Sequence, residues 1–477
     1  MATASVKSHE HLDRGPFAPS NLIVRPAGTE ADNAVLVIDP WSQRWAIVDS
    51  EAERILTLAD GRRSLCEISS DAGLIRKGSA TPEEVVDQLI GCGILFESQA
   101  DHRRSGQPVY NASDIQGIHL EITNACNLRC RHCYVSSGQK LPDELSDAEL
   151  RMVVDQLPSF SGRAIAISGG EPAVRKGCLD LVEYCAVERG HDVDLYTNGY
   201  KFPRRFAERL IGIAERSPGE LQLQVSLEGA TDATNDLIRG RGAFARTTET
   251  LEMFRELGLN RQTTVFVCIT KLNIDQLDRI IALCERLDVA RLHFSQWQRQ
   301  GNASDVPWES IAPTVEEWLE AGERVLSYTG ERLDMTGNFF GDLKNTPSGR
   351  FTLEPSLFPK HLYFYNAFPR ISPDGWIFAD QFWTNRDWAL GNVREMTLAE
   401  AFDSPTFHAQ LDAMRARTER VADCGRCIWR DLCGSGSPGH TYAEYGHLWE
   451  KDLFCDARMR WFERYADTQI ERVLDAA

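Results

Sequence analysis

A chain of 477 residues is long enough for roughly three domains, and its 42% apolar content can fill large cores. The net charge of −18 argues against a general nucleic-acid binder, which needs a basic surface. Thirteen cysteines, an odd number behind a polar N-terminus with no signal-like apolar segment, argue against a disulfide framework and for thiol or metal chemistry in a reducing, cytoplasmic setting. No apolar run approaches the roughly 18 residues of a membrane span.

Residues 1–19 read as a polar, mobile tail and residues 20–100 as one small unit. Ala34 to Ile38 and Arg44 to Val48 are two short strands around the turn Asp39-Pro40-Trp41-Ser42. Asp49-Ser50 caps a helix through Leu58, and further helices are expected at Leu65 to Leu74 and Thr81 to Cys92, the last opening on Thr-Pro-Glu-Glu. Strands followed by three short helices spell a winged helix-turn-helix. Together with Ile55-Leu56-Thr57-Leu58-Ala59-Asp60-Gly61 and the closing Leu89 to Leu95, this pattern resembles the PqqD-like peptide-recognition domain of ribosomal-peptide maturases. The resemblance implies that a leader peptide adds as a strand to the sheet edge near Arg44 to Val48, with Val85, Val86 and Leu89 lining the groove. A DNA-binding winged helix is the competing reading. Residues 1–100 carry nine Lys and Arg against fifteen Asp and Glu, a net of −6, so phosphate would be repelled.

Asp101 to Ser113 is a polar linker, after which strands and helices alternate. Strands are expected at 116–122, 164–168, 192–197, 221–226, 262–268 and 290–294. Amphipathic helices fall between them, as at Leu145 to Leu157, Leu179 to Arg189, Arg204 to Ala214, Thr247 to Leu257 and Ile274 to Leu287. Six such units over residues 114–335 imply an α/β domain, a parallel and partly closed (β/α)6 barrel whose chemistry gathers at the C-terminal strand ends.

The first strand is followed by Cys126, Cys130 and Cys133 in a CxxxCxxC run. Iron–sulfur clusters and structural zinc both take four ligands, so a compact set of three implies that something else completes the site; a zinc knuckle short of one ligand, or cysteines packed in a core, are the plainer alternatives. The second strand ends in Ser168-Gly169-Gly170-Glu171-Pro172, where glycines permit close backbone approach and a carboxylate can meet an ammonium. Later ends carry Tyr196-Thr197-Asn198-Gly199 and Val225-Ser226-Leu227-Glu228-Gly229, then Asn235 to Gly240.

This succession resembles the radical SAM superfamily. The resemblance implies a 4Fe-4S cluster on Cys126, Cys130 and Cys133 whose open iron is chelated by S-adenosylmethionine, cleaved by one electron to a 5′-deoxyadenosyl radical. It further implies that Gly169, Gly170 and Glu171 grip the methionine amino group, that Ser226 and Arg239 hold the ribose and the methionine carboxylate, and that Leu292 and His132 lie against adenine. Each of these could equally be a turn, cap or packing residue.

Near the C-terminus, Cys424, Cys427, Cys433 and Cys455 form a complete four-thiolate set, which on spacing alone suits zinc as well. The stretch is similar to the SPASM extension of radical SAM enzymes, with Ser372 to Phe378 and Leu390 to Val393 as its preceding β-hairpin. That likeness implies one auxiliary 4Fe-4S cluster within a shortened domain over residues 360–470. Asp380 and Ser437 stand where the family has further cysteines, so a second auxiliary cluster is not expected. The six remaining cysteines, Cys66, Cys92, Cys178, Cys185, Cys268 and Cys284, read as packing residues.

The reading that results is a radical SAM peptide maturase that abstracts hydrogen from a precursor peptide and closes a thioether or carbon–carbon crosslink, with the auxiliary cluster accepting the second electron. Its expected partners are the precursor's leader and a flavodoxin- or ferredoxin-type donor. The alternatives are a radical SAM enzyme for a tetrapyrrole or redox-cofactor precursor, a peptide epimerase, and an iron–sulfur or zinc regulator with its winged domain on DNA.

Overall fold

The computed structural model describes residues 15–27, 34–40, 44–71, 81–105, 115, 117–159, 162–328, 330, 332–337 and 368–476. The first unit is a three-stranded antiparallel sheet, β1 (Ile23–Ala27), β2 (Ala34–Asp39) and β3 (Arg44–Val48), in that spatial order. Three helices, Ser50–Leu58, Leu65–Asp71 and Pro82–Cys92, cover one face. Asp49 caps the first through the Ala52 N–H (2.8 Å), and Thr81 and Glu84 close a capping box on the third (2.7 and 3.3 Å). Residues 41, 42 and 72–74, assigned above to a turn and a helix end, lie outside the described residues.

Alternation along β2 decides how this unit is seated. Val37 turns into the unit's own core with Ile55, Ile68 and Leu89, while Leu36 and Ile38 join the large core of the rest of the protein. At β1, Arg25 reaches the long C-terminal helix Cys455–Ala476, with Nη2 3.1 Å from Asp467 and Nη1 3.2 Å from the Glu463 carbonyl, and its guanidinium lies 5.8 Å over the Trp429 ring. One sheet edge therefore faces the C-terminal region, and among the described residues no strand pairs with the β3 edge.

Three expectations are corrected here. Residues 15–19 are not all tail: Phe17 exchanges backbone hydrogen bonds with Phe96 (2.8 and 2.9 Å) and Ala18 is buried in the small core. The linker opens with a helix, Gln99–Ser105. Val86 and Leu89 are buried in the unit's core, because the helix turns these two positions inward, and of the three named residues only Val85 is partly exposed.

The central sheet holds β4 (Gly117–Glu121), β5 (Ala164–Ser168), β6 (Asp192–Thr197), β7 (Leu221–Ser226), β8 (Thr263–Ile269), β9 (Arg291–Gln296) and β10 (Asp334–Gly337), all parallel neighbours in sequence order. Their Val, Ile and Leu side chains are buried between sheet and helices, while alternate residues such as His119, Asp194, Tyr196 and His293 face the barrel interior. β4 and β10 are not paired, so the barrel is open. The free edge of β4 is taken instead by β11 (Arg370–Ile371), which starts a meander with β12 (Trp376–Phe378) and β13 (Ala389–Asn392). A buried bidentate pair, Arg370 to Glu121 (2.9 and 2.7 Å), locks that join. Among the described residues no helix is long and apolar enough to cross a membrane.

Candidate active site

The loop after β4 folds back on itself, with Cys126 N–H donating to the Gly138 carbonyl (2.9 Å) and Gly138 N–H to that of Asn124 (2.8 Å). This turns Cys126, Cys130 and Cys133 into one cavity of about 460 Å³, whose wall also includes Gly169, Gly170, Asn198, Ser226 and Arg239. The volume suits a ligand of nucleoside size. Cys126 Sγ accepts from Asn198 Nδ2 (3.7 Å) and the Leu128 N–H (3.5 Å), Cys133 Sγ from the Ser137 N–H (3.3 Å), and Cys130 Sγ faces Arg239 Nη1 at 3.9 Å. Burial pushes the Cys126 and Cys130 thiols up, the latter to about 11. Among the described residues no three His, Cys, Asp or Glu side chains meet as ligands of one metal ion. A cluster asks for something else, since each thiolate binds a different iron.

The Gly-Gly-Glu segment is placed where expected, with Gly169 and Gly170 on the cavity wall, and it also packs against the cysteine loop. A Cβ on Gly169 would stand 2.3 Å from the Thr123 carbonyl oxygen, and one on Gly170 2.3 Å from that of Ala125. The close approach is thus to the cysteine loop, and the Gly170 N–H is spent on the Thr123 carbonyl (2.7 Å). Glu171 is buried off the cavity wall, where its carboxylate accepts from Thr197 Oγ1 (2.8 Å), Asn198 N–H (2.7 Å) and Ala173 N–H (3.1 Å). The expected carboxylate grip on a ligand ammonium is corrected accordingly: Glu171 ties the end of β5 to the end of β6. A Gly170→Ala protein should lose about 1–3 kcal/mol of stability, the usual cost of forcing atoms into a packed interior; an unchanged urea midpoint would contradict this packing.

Ser226 and Arg239 line the cavity as expected, but Arg239 comes with a partner of its own. Glu228, 1% exposed, accepts from Arg239 Nε (3.1 Å) and Nη2 (2.7 Å), pairs with His132 Nε2 (2.9 Å), and takes the Cys268 N–H (2.7 Å). Burial pushes the Glu228 carboxyl up, yet Arg239 and His132 outweigh it and hold the group at about 2. His132 is therefore oriented by its hydrogen bond to Glu228, and its other nitrogen, Nδ1, is buried on the wall with no partner among the described residues. Glu228 belongs to the Val225-Ser226-Leu227-Glu228-Gly229 strand end, but nothing in that pattern alone marks it as the partner of Arg239 and His132.

Leu292 is a correction. It is fully buried in the core between sheet and helices, whereas His293 and Ser295 line the cavity, because alternate residues of β9 face opposite ways. Cys268 likewise lines the cavity from β8, and Cys66 and Cys92 are exposed; only Cys178, Cys185 and Cys284 are buried packing residues.

In the C-terminal region, Cys424 opens a short helical turn, Cys433 closes the helix Arg430–Cys433, and Cys455 starts the long helix. Arg458 Nη1 stands 3.5 Å from Cys433 Sγ, with Nη2 bound to buried Asp452 (2.9 Å), and Cys427 Sγ lies 3.1 Å from Met459 Sδ. Burial pushes the thiols of Cys427 and Cys455 up to about 11 and about 12. Ser437 caps the helix Pro438–Tyr445 through the His440 N–H (3.3 Å). Asp380, buried and raised to about 8 by that burial, accepts the Phe382 N–H (2.6 Å). Both departures from the expected cysteine pattern thus have structural partners.

Residues 120–284 match the Radical SAM superfamily. The chain is 32% identical to the mycofactocin maturase MftC of Mycobacterium ulcerans, over 66% of this chain and 81% of the relative. It is 29% identical to the Fe-coproporphyrin III synthase of Methanosarcina barkeri, over 70% and 86% respectively. In fold it resembles Streptococcus suis SuiB, solved with its precursor peptide SuiA, at a TM-score of 0.58 with 14% identity, covering 92% of this chain and 99% of that one.

Proposed function

The chain belongs to the radical SAM superfamily, an enzyme family that uses S-adenosylmethionine with a 4Fe-4S cluster, and we propose that it modifies a ribosomally made precursor peptide by hydrogen abstraction and oxidative crosslinking. The observation that carries the reading is the convergence of Cys126, Cys130 and Cys133 with Ser226 and Arg239 on one cavity. When bound, the cluster and S-adenosylmethionine supply the carbon-centred radical that takes the hydrogen.

The chain's own residues hold and aim. Three thiolates leave one corner of a cluster open to a chelating ligand. Glu228 takes Nε and Nη2 of Arg239, so that Nη1 points toward Cys130 and can meet a ligand carboxylate there. Ser226 offers a hydroxyl to a ribose. Glu171, through Thr197 and Asn198, fixes the β6 end beside Cys126. Cys424, Cys427, Cys433 and Cys455 would saturate a second cluster, which favours net oxidation over epimerisation.

The winged unit, proposed as residues 20–100 with its start drawn back to about residue 15, would bind the leader at the β3 edge and so raise the effective concentration of the core at the cavity. A flavodoxin- or ferredoxin-type protein is the proposed electron donor. The relative named a maturase supports a peptide over a tetrapyrrole, and the resemblance to SuiB extends through the N-terminal unit at 92% coverage. Anaerobic co-expression with short peptides encoded beside the enzyme, followed by mass spectrometry, tests the proposal. A loss of two hydrogens is expected; deuterium uptake without mass loss would mean epimerisation, and an unmodified peptide beside a modified porphyrin would overturn it.

A further inference from the structure

Within a chain of net charge −18, the described residues around the three cysteines form a basic face. Three segments, Ile122 to Pro142, Leu195 to Ala207 and Leu237 to Thr248, each hold three Lys or Arg and no Asp or Glu. The fold puts them side by side: Asn127 Nδ2 donates to the Tyr200 carbonyl (3.1 Å), Asn198 Nδ2 to Asn127 Oδ1 (2.8 Å), and the Arg131 N–H to the Ile238 carbonyl (2.9 Å). Some of these cations are engaged: Arg239 with Glu228, Arg204 with Glu256, Arg246 with Glu249, and Arg129 with the carbonyls of Cys126 and Leu128. Arg131, Lys140, Lys201, Arg205 and Arg241 are exposed and have no ion pair to any described residue. Asp236, at the margin, has its carboxylate spent on the N–H groups of Gly242 (2.6 Å) and Phe244 (2.8 Å). Leu237, 42% exposed, supplies an apolar centre within the basic rim.

We propose that this face is the docking site of an acidic one-electron carrier protein that reduces the cluster held by Cys126, Cys130 and Cys133. The inference rests on the function proposed above. An electron reaches a buried centre only over a short distance, so a donor must sit against the loop that carries the thiols, and this loop's outer surface is the basic one. The carrier is oxidised by one electron and the cluster reduced by one, with no proton moved. On a protein of this net charge, a cluster of unpaired cations steers an acidic partner toward this face.

The test uses oxidised flavodoxin as the acidic probe and the full-length protein. Titration calorimetry should show binding that weakens steeply between 50 and 300 mM NaCl, and the combined variant Arg131→Glu, Lys140→Glu, Lys201→Glu, Arg241→Glu should bind at least about tenfold more weakly. With excess dithionite, wild type and variant should form 5′-deoxyadenosine within twofold of each other; with reduced flavodoxin, the variant should fall at least about tenfold. Wild-type binding that ignores salt, or a variant that binds flavodoxin as wild type does, would overturn the docking site. So would a variant that keeps its flavodoxin affinity but loses peptide modification under dithionite, which would give the face to the substrate. A wild type that makes no 5′-deoxyadenosine with dithionite would instead overturn the proposed function. Should the variant misfold, the salt dependence of the wild type decides.

Discussion

Cys130→Ala protein, reconstituted anaerobically with iron and sulfide, is expected to hold about four irons where the wild type holds about eight, and to form no 5′-deoxyadenosine above the level of protein without iron. Cys130 is the informative choice because its sulfur faces Arg239 at 3.9 Å, the point where the iron site and the proposed carboxylate site meet. With two thiolates left, the loop cannot hold a cubane by three corners. The complementary protein, with Cys424, Cys427 and Cys433 all changed to Ala, should also drop to about four irons. It should still cleave S-adenosylmethionine but leave the peptide unmodified. If that protein kept all its iron, the second cluster would have to be abandoned.

The second large effect is on folding. Glu228→Ala should cost about 3–5 kcal/mol, the penalty for leaving a buried cation without its counter-charge. The loss should be read from urea denaturation at pH 7, and Arg239→Met in the same protein should recover much of it. The pH dependence has a definite sign. Folding holds the Glu228 carboxyl at about 2, below its ordinary 4.5, so the pair's contribution is complete above about pH 4.5 and is lost as pH falls toward 2. A Glu228→Gln protein should lack that part of the acid slope; an identical slope would mean that the pair does not govern it.

The elements that sequence revealed best are those whose signal is local. The strands of the barrel are short segments with Val, Ile or Leu at successive or alternate positions, and three of them, β5, β6 and β7, have the bounds expected. By contrast β1, which is not among the expected strands, contains Arg25 and Pro26; proline is tolerated there because β1 is an edge strand. At the site, the cysteines stand out by their spacing, and the strand-end motifs that follow them give that spacing its meaning. What each strand-end side chain touches is not legible in them. Leu292 and His293 exchange roles with a single step of register, which only the pairing of β9 with β8 decides. Glu171 and the two glycines carry a recognisable pattern, but their partners are Thr123, Ala125, Thr197 and Asn198, brought in from other loops. Glu228 carries no local signal for the same reason: its hydrogen bonds join residues 132, 228 and 239, a set with no sequence periodicity.

The contact of Arg25 with Trp429, Asp467 and the Glu463 carbonyl bears on how such an enzyme can be re-engineered. Trp429 lies between Cys427 and Cys433, so the winged unit does not hang from the barrel as a detachable module; it rests on the wall of the second thiolate set. Chimeras that graft another maturase's winged unit onto residues 115–476 inherit this seam. Those that keep an arginine at the position of Arg25, and apolar residues at those of Leu36 and Ile38, should yield soluble, iron-replete protein, whereas grafts matched only for leader specificity should not.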